Sequence, residues 1–156
     1  MRLVYFEDLH EGDVYWGDEV LVDPDEMMAY NLKNDPWPLH VDQEAAKRTP
    51  YGGVIASGGY TITLMYRSCI GINNNAETRW EFLGGFDWKL KFVTPVRPGD
   101  RLRVKMTIKS MRPSSKGGRG VINTFNEVLN QDGATVMSLD VVFLLATKPV
   151  SESDRQ

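Results

Sequence analysis

Two side chains that can exchange protons lie close together in a proline-rich stretch. Residues 35–40 read DPWPLH, so the carboxylate of Asp35 and the imidazole of His40 are separated by two prolines that restrict the backbone. Imidazole gains and loses a proton near neutral pH, and a carboxylate held beside it makes a proton-transfer pair. The spacing therefore predicts acid–base chemistry here. The other histidine, His10, lies in a polar turn, and we assign it no role.

A glycine-rich segment follows the pair and opens the most apolar part of the chain. Residues 51–59 read YGGVIASGG, and residues 60–70 are apolar on nearly every helical face. A helix that is apolar all round is a buried one, so we expect a buried helix over 60–70 that ends at Gly71. Cys69, the only cysteine, lies in this segment and is expected to be a buried, unreactive thiol.

The composition indicates one domain and argues against several classes of partner. The 156 residues carry 18 basic and 21 acidic side chains, well mixed and with a net charge of −3, so no nucleic-acid partner is expected. One cysteine allows no intramolecular disulfide, and we find neither a signal-peptide core nor an apolar run of the roughly 20 residues that a membrane span needs. We expect a cytoplasmic protein with no membrane partner, whose single domain covers residues 1–150. A polar tail at residues 151–156 is expected to be disordered.

Capping residues place the elements that precede the buried helix. β-type residues favour a strand over 14–22. Asp23, followed by proline and two acidic residues, is typical of a helix start. That helix must end near Asn34, because a residue that precedes a proline disfavours helical geometry. Asp42 can cap a further short helix through Arg48.

Beyond the buried helix the apolar residues recur with a period of two. This alternation is typical of strands that bury one face, and the dipeptide Asp132-Gly133 is a hairpin signal. The predicted strands cover residues 88–92, 102–108, 121–129 and 137–145. The order of elements indicates an α+β fold in which an antiparallel sheet wraps around a single buried helix.

Three segments together resemble a known family. Residues 35–42, DPWPLHVD, resemble the signature Gly-Asp-x-Asn-Pro-Leu-His-x-Asp of the MaoC-like (R)-specific enoyl-CoA hydratases and dehydratases. Residues 52–58, GGVIASG, resemble the glycine segment that follows in that family, and residues 92–100, FVTPVRPGD, resemble its Pro-Val-x-x-Gly-Asp turn. The resemblance covers nearly the whole chain. It implies a single hot-dog fold, an antiparallel sheet around one long central helix, that usually pairs as a homodimer or assembles into a larger homo-oligomer.

The resemblance also implies a reaction, the reversible addition of water to a trans-2-enoyl thioester. Asp35 and His40 would hold the water and pass its protons, and the backbone N–H of Gly58 would stabilise the negative charge on the thioester oxygen. Such hydro-lyase chemistry requires no metal, flavin or nicotinamide, so no cofactor is expected. The partner would be an acyl-CoA substrate, as in fatty acid metabolism, with lysine or arginine near its phosphates.

Departures from the family pattern fall on residues expected to contact the substrate. Trp37 replaces the family's asparagine and would narrow the site, Ser57 replaces a histidine, and Tyr66 stands where well-characterised hydratases carry serine. Gly59, beside the oxyanion donor, completes the expected substrate-binding set. Core packing is the simpler interpretation of Tyr66.

Simpler structural roles also remain open for the other candidates. His40 could be a core histidine held by a backbone carbonyl, and Asp35 could be a turn residue. Asp42 is better interpreted as a helix cap than as a catalyst. Gly58 could serve close helix–sheet packing, and Ser57 could cap the buried helix.

Two other functions suit the same fold. In a hot-dog thioesterase, Asp35 would activate water to attack the carbonyl carbon rather than C3, and the reaction would release free CoA. In a non-catalytic subunit, the fold would only bind an acyl thioester.

Overall fold

An antiparallel sheet encloses the longest helix of the chain. The computed structural model describes residues 1–150, and the predicted polar tail at residues 151–156 lies outside them. The strands are β1 (Arg2–Val4), β2 (Val14–Trp16), β3 (Val20–Leu21), β4 (Thr78–Trp80), β5 (Phe82–Phe92), β6 (Arg101–Pro113), β7 (Arg119–Leu129) and β8 (Thr135–Ala146). The helices are α1 (Pro24–Asn34), α2 (Pro38–Val41), α3 (Gln43–Lys47) and α4 (Gly58–Asn73), and a 3₁₀ turn covers Phe6–Asp8.

The main sheet has the strand order β2-β6-β7-β8-β5, and β3 also pairs with β6. Every pairing in it is antiparallel. Buried apolar side chains of β6, β7 and β8 pack in one core with the buried side chains of α4. The alternating burial along β6 follows from the two-residue period of a strand. The predicted α+β fold, with an antiparallel sheet around one buried helix, is confirmed.

Helix caps form where the sequence predicts them. The Asp23 carboxylate accepts a hydrogen bond from the Glu26 amide at the start of α1. The Asp42 carboxylate accepts from the amides of Glu44 and Ala45 at the start of α3. Both caps satisfy N–H groups that a helix start leaves unpaired.

Several predicted boundaries are wrong. β5 starts at Phe82 rather than residue 88, β6 ends at Pro113 rather than residue 108, and the strand over 14–22 and the buried helix also differ from the prediction. The strand expected over 14–22 is broken into β2 and β3, because the chain between them docks onto α4: the Asp18 amide donates to the Ser68 carbonyl, and the Ser68 hydroxyl donates to the Asp18 carbonyl. The buried helix starts at Gly58 rather than residue 60 and continues past Gly71 to Asn73. A Cβ at Gly71 would collide with the Asp18 carboxylate, so this glycine allows close approach and does not end the helix.

Sequence periodicity did not predict the short parallel pair of β1 and β4. Three-residue strands are too short to show a period. No helix within residues 1–150 is long and apolar enough to cross a membrane.

Candidate active site

The end of α1 and the short helix α2 position the proton-transfer pair. Asp35 follows the last residue of α1, and its amide donates to the Asn31 carbonyl. Pro38 is the first residue of α2, where proline suits a helix start, and the His40 amide donates to the Trp37 carbonyl at 2.8 Å. The chain therefore turns sharply between the two side chains and returns His40 toward Asp35.

The carboxylate and the imidazole face each other. His40 Nε2 lies 3.5 Å from Asp35 Oδ2, which is longer than the usual 2.7–3.2 Å of a direct hydrogen bond. His40 is buried and Asp35 is partly exposed. His40 Nδ1 lies 2.9 Å from the Ile55 carbonyl oxygen. A carbonyl oxygen only accepts, so Nδ1 carries the proton and Nε2 of the neutral ring is free to accept another.

Asn31 is the residue of this site that sequence analysis missed. Its side chain is fully buried; Nδ2 donates to the His40 carbonyl at 3.0 Å and to the Ile55 carbonyl at 3.4 Å. Its Oδ1 accepts from the Ser57 amide at 3.2 Å. One amide group thus joins the histidine, the carbonyl that orients the histidine, and the start of α4.

The first turn of α4 presents free backbone amides. Ser57 caps the helix by accepting from the Tyr60 amide, which confirms the capping interpretation of that buried serine. Within residues 1–150, neither Gly58 N–H nor Gly59 N–H has an acceptor. The positive end of the helix dipole adds to their attraction for an anion. A Cβ at Gly58 would lie 2.5 Å from the tip of the Phe92 ring, so glycine there also allows close packing.

The other predicted contact residues lie at the surface. The Trp37 side chain is 66% exposed. Tyr66 is also exposed, so the core interpretation is wrong; it packs against Trp88 with 5.9 Å between ring centroids. Gly59 is exposed and faces the Tyr30 hydroxyl, which a Cβ would meet at 2.5 Å.

Cys69 is partly buried, whereas the sequence predicted a buried thiol. Burial raises the pKa of the thiol to about 12, so almost no thiolate is present at neutral pH. This agrees with the sequence-based expectation of an unreactive cysteine. Within residues 1–150 no three histidine, cysteine, aspartate or glutamate side chains are grouped to hold a metal ion.

Comparisons with known proteins agree with this fold. The 3-hydroxybutyryl-CoA dehydratase of Methylorubrum extorquens is 31% identical over 121 residues, which cover 76% of this chain and 73% of that protein. The crystal structure of a MaoC-like dehydratase from Rhodospirillum rubrum is similar with a TM-score of 0.84 and 29% identity, covering 94% of this chain and 99% of the other.

A solved structure with lower sequence identity is described as having a hot-dog fold. A conserved hypothetical protein from Mycobacterium tuberculosis with a double hot-dog fold has a TM-score of 0.77 and 18% identity, and the similarity covers 96% of this chain and 46% of that one. The predicted hot-dog fold is confirmed. The family model described as a MaoC like domain matches residues 6–128, and the chain therefore belongs to the MaoC-like dehydratase family.

Proposed function

We propose that this protein is a hydro-lyase that adds water reversibly to a trans-2-enoyl thioester. One observation carries the proposal: the Asp35 carboxylate faces Nε2 of His40 at 3.5 Å, while the Ile55 carbonyl holds the other ring nitrogen. Both groups can accept a proton from the same water. The relative named 3-hydroxybutyryl-CoA dehydratase supports the reaction class.

In this mechanism the added water supplies both the hydroxyl group at C3 and the hydrogen at C2. Asp35 and His40 hydrogen-bond the water, and its oxygen attacks C3 of the enoyl group. One water proton remains in the new hydroxyl group, and the other passes through His40 Nε2 to C2, so that the protein returns to its starting state. Positioned acid–base groups of this kind contribute about 10²–10⁴-fold to the rate.

The start of α4 supplies the third requirement of the reaction. Attack at C3 moves negative charge onto the thioester oxygen, which needs hydrogen-bond donors that are already in position. The amides of Gly58 and Gly59 fit this role, because the described part of the chain gives neither an acceptor. Asn31 connects this turn to the histidine through its bond to the Ser57 amide.

The test follows the absorbance band of the conjugated enoyl thioester over a panel of short, branched and long enoyl-CoAs. We expect the wild type to remove the band without releasing thiol. Asp35→Asn and His40→Ala are expected to lose at least about 10²-fold in kcat/KM, because each removes one proton acceptor from the pair. His10→Ala is a matched control, since His10 is exposed and its ring pairs with Asp13 outside the site.

The rival functions give different results in the same assay. Thiol release with no 3-hydroxyacyl-CoA identifies a thioesterase. Tight acyl-CoA binding without turnover, unchanged by Asp35→Asn, identifies a binding subunit. Either result contradicts the hydro-lyase proposal.

We also propose that the active form is a homodimer, which the exposed edge of the main sheet supports. β5 lies at the end of the strand order, and within residues 1–150 only β8 pairs with it. Its exposed apolar side chains include Phe82, Leu83 and Phe86. A long apolar edge strand is a template for pairing with another chain.

A further inference from the structure

A cavity separate from the proton-transfer pair lies beside the later turns of α4. Its volume is about 870 Å³, within the usual range for small-molecule sites. Apolar and aromatic side chains dominate its lining, among them Trp88 and Phe143 of the sheet and Met65 and Tyr66 of α4. Its lining begins at Thr63, five residues after Gly58 on the same helix.

Two buried polar side chains interrupt this apolar lining. Thr124 and Asn126 occupy successive inward positions of β7 and both line the cavity. The Thr124 hydroxyl donates to the Val141 carbonyl at 3.4 Å, since a carbonyl can only accept. The hydroxyl oxygen in turn accepts from Asn126 Nδ2 at 2.9 Å. In this arrangement the Asn126 Nδ2 atom faces Thr124, and the Oδ1 atom lies on the other side of the amide group.

The chain of hydrogen bonds ends at an acceptor with no donor. Asn126 is only 3% exposed, and its Oδ1 has no hydrogen-bond partner within the described residues. An unpaired buried acceptor is unfavourable and rare in native structures, and it commonly marks the place of a ligand or an ordered water. An occupant that excludes water from this atom therefore needs a hydrogen-bond donor.

Strand register places this acceptor relative to the proposed reaction site. Phe92, which packs against Gly58, is two residues along β5 from Leu90; Leu90 pairs with Leu139, and Leu139 pairs with Asn126. A displacement of two residues along a strand and two strands across the sheet corresponds to a distance of about 12 Å between Phe92 and Asn126. An acyl chain that starts at the Gly58 amide would bring its distal carbons near Asn126.

The charged residues that line the cavity restrict which kind of hydrogen-bond donor can pair with Asn126. Its lining includes Arg67 and Arg79 and no aspartate or glutamate. An ammonium group would have no carboxylate partner there, and burial of an unpaired charge is costly. A neutral hydroxyl group satisfies Asn126 without that cost.

We propose that this cavity receives an acyl group that carries a hydroxyl on its distal part, and that Asn126 Oδ1 accepts the hydrogen bond from that hydroxyl. The inference rests on the thioester class of the proposed function. An unsubstituted chain would exclude water from Asn126 and offer no donor in return. A site with a buried polar group discriminates against the analogue that lacks its partner.

The test measures binding, so that it does not depend on turnover. Isothermal titration would compare octanoyl-CoA with its isomers hydroxylated at carbons 5 to 8. These saturated thioesters cannot be hydrated, and titration of Asp35→Asn in parallel shows whether hydrolysis contributes heat. We expect one isomer to bind about 5- to 100-fold more tightly than octanoyl-CoA, the range expected for satisfying one buried acceptor.

Variants on the two faces of β7 distinguish a loss of hydroxyl recognition from a general loss of stability. Asn126→Leu is expected to abolish the preference for the hydroxylated isomer. Asn123→Leu makes the same change three residues earlier on the less buried face of β7 and is expected to retain the preference. Should Asn126→Leu fail to fold, Thr124→Val releases the Asn126 amide at nearly constant volume and is expected to reduce the preference.

Equal affinity for all isomers, or a preference that survives Asn126→Leu, would overturn the inference. Failure to bind any acyl-CoA would overturn both this inference and the proposed function. A hydroxyl preference in a protein that hydrates no enoyl-CoA would contradict the proposed function and support the inference.

Discussion

Asn31 holds together the parts of the site that come from different segments of the chain. Its amide bonds to the carbonyls of His40 and Ile55 and to the amide of Ser57. The same Ile55 carbonyl accepts from His40 Nδ1 and so sets which ring nitrogen is free. Asn31 is therefore a positioning residue that acts through His40.

Replacement of Asn31 should slow catalysis more than it weakens substrate binding. Asn31→Leu removes all three bonds, and a displacement of about 1 Å at the reacting groups costs about 10²-fold in rate. We expect kcat to fall by about that factor with a small change in KM, and the pH dependence of kcat to shift because the histidine loses its fixed orientation. Steady-state kinetics across pH measures both.

Ser68→Ala is the matched control for this prediction. Ser68 is equally buried, and its hydroxyl bonds to Asp18 and Val104 rather than to the site. A similar loss of kcat in Ser68→Ala, or an unchanged pH profile in Asn31→Leu, would show that Asn31 has only a general stabilising role.

Asp35 and His40 could be found in the sequence and Asn31 could not, for a physical reason. The pair lies within six residues that include two prolines, so its proximity is a local property of the chain. Asn31 bonds to residues that lie 9, 24 and 26 positions away. Those contacts exist only after α1 packs against the loop that precedes α4.

At the scale of elements, an ion pair and a hydroxyl group tie α1 to α4. Glu26 of α1 accepts from the Tyr60 hydroxyl at 2.8 Å and from the Arg67 guanidinium. The hydrogen bond from Arg67, followed by that from Tyr60, lowers the pKa of Glu26. The ionised carboxylate therefore stabilises the fold more than the protonated form does.

The sign of this shift predicts how stability depends on pH. A folded-state pKa below the unfolded value gives stability that is present above the ordinary glutamate pKa and is lost as the pH falls through the folded value. Since the side chains of Glu26 and Arg67 are 42% and 46% exposed, we expect Glu26→Gln to reduce the free energy of unfolding at neutral pH by only ~0.5–1 kcal/mol. Urea unfolding at several pH values measures the change.

Two observations test the assignment to Glu26. The difference between Glu26→Gln and the wild type should shrink in acid, where the wild-type carboxylate is also neutral. Glu44→Gln, which breaks the exposed pair with Lys47 inside α3, should have a smaller effect at every pH. A difference for Glu26→Gln that persists or grows in acid would contradict the prediction.

Local signals predicted most elements, and long-range contacts set the boundaries that failed. The caps at Asp23 and Asp42 and the alternation along β6 are short-range properties of the sequence. The break between β2 and β3 and the continuation of α4 through Gly71 depend on Asp18 docking against the helix. Nothing within a few residues of either position indicates that contact.

At the scale of the whole molecule, the exposed edge of β5 predicts dimer formation. Phe82, Leu83 and Phe86 are exposed on a strand that pairs only with β8 within the described chain. We expect a dimer at micromolar concentration by light scattering after size exclusion. Leu83→Lys combined with Phe86→Lys should yield monomers, because charges on an edge strand oppose pairing.

Leu32→Lys is the control for the dimer prediction, because Leu32 is an exposed apolar residue of α1 rather than of β5. It should leave the dimer intact. A monomeric wild type, or dimers that persist in the β5 double variant, would contradict the prediction.

The central claim is that the Asp35–His40 pair directs water to C3 of an enoyl thioester, and isotope labelling tests it most directly. trans-2-Butenoyl-CoA would be incubated with the protein in H₂¹⁸O, and the products analysed by mass spectrometry. We predict ¹⁸O in the hydroxyl group of an intact 3-hydroxybutyryl-CoA, and loss of this product in both Asp35→Asn and His40→Ala. Label in a free carboxylic acid, or unchanged labelling in both variants, would contradict the account.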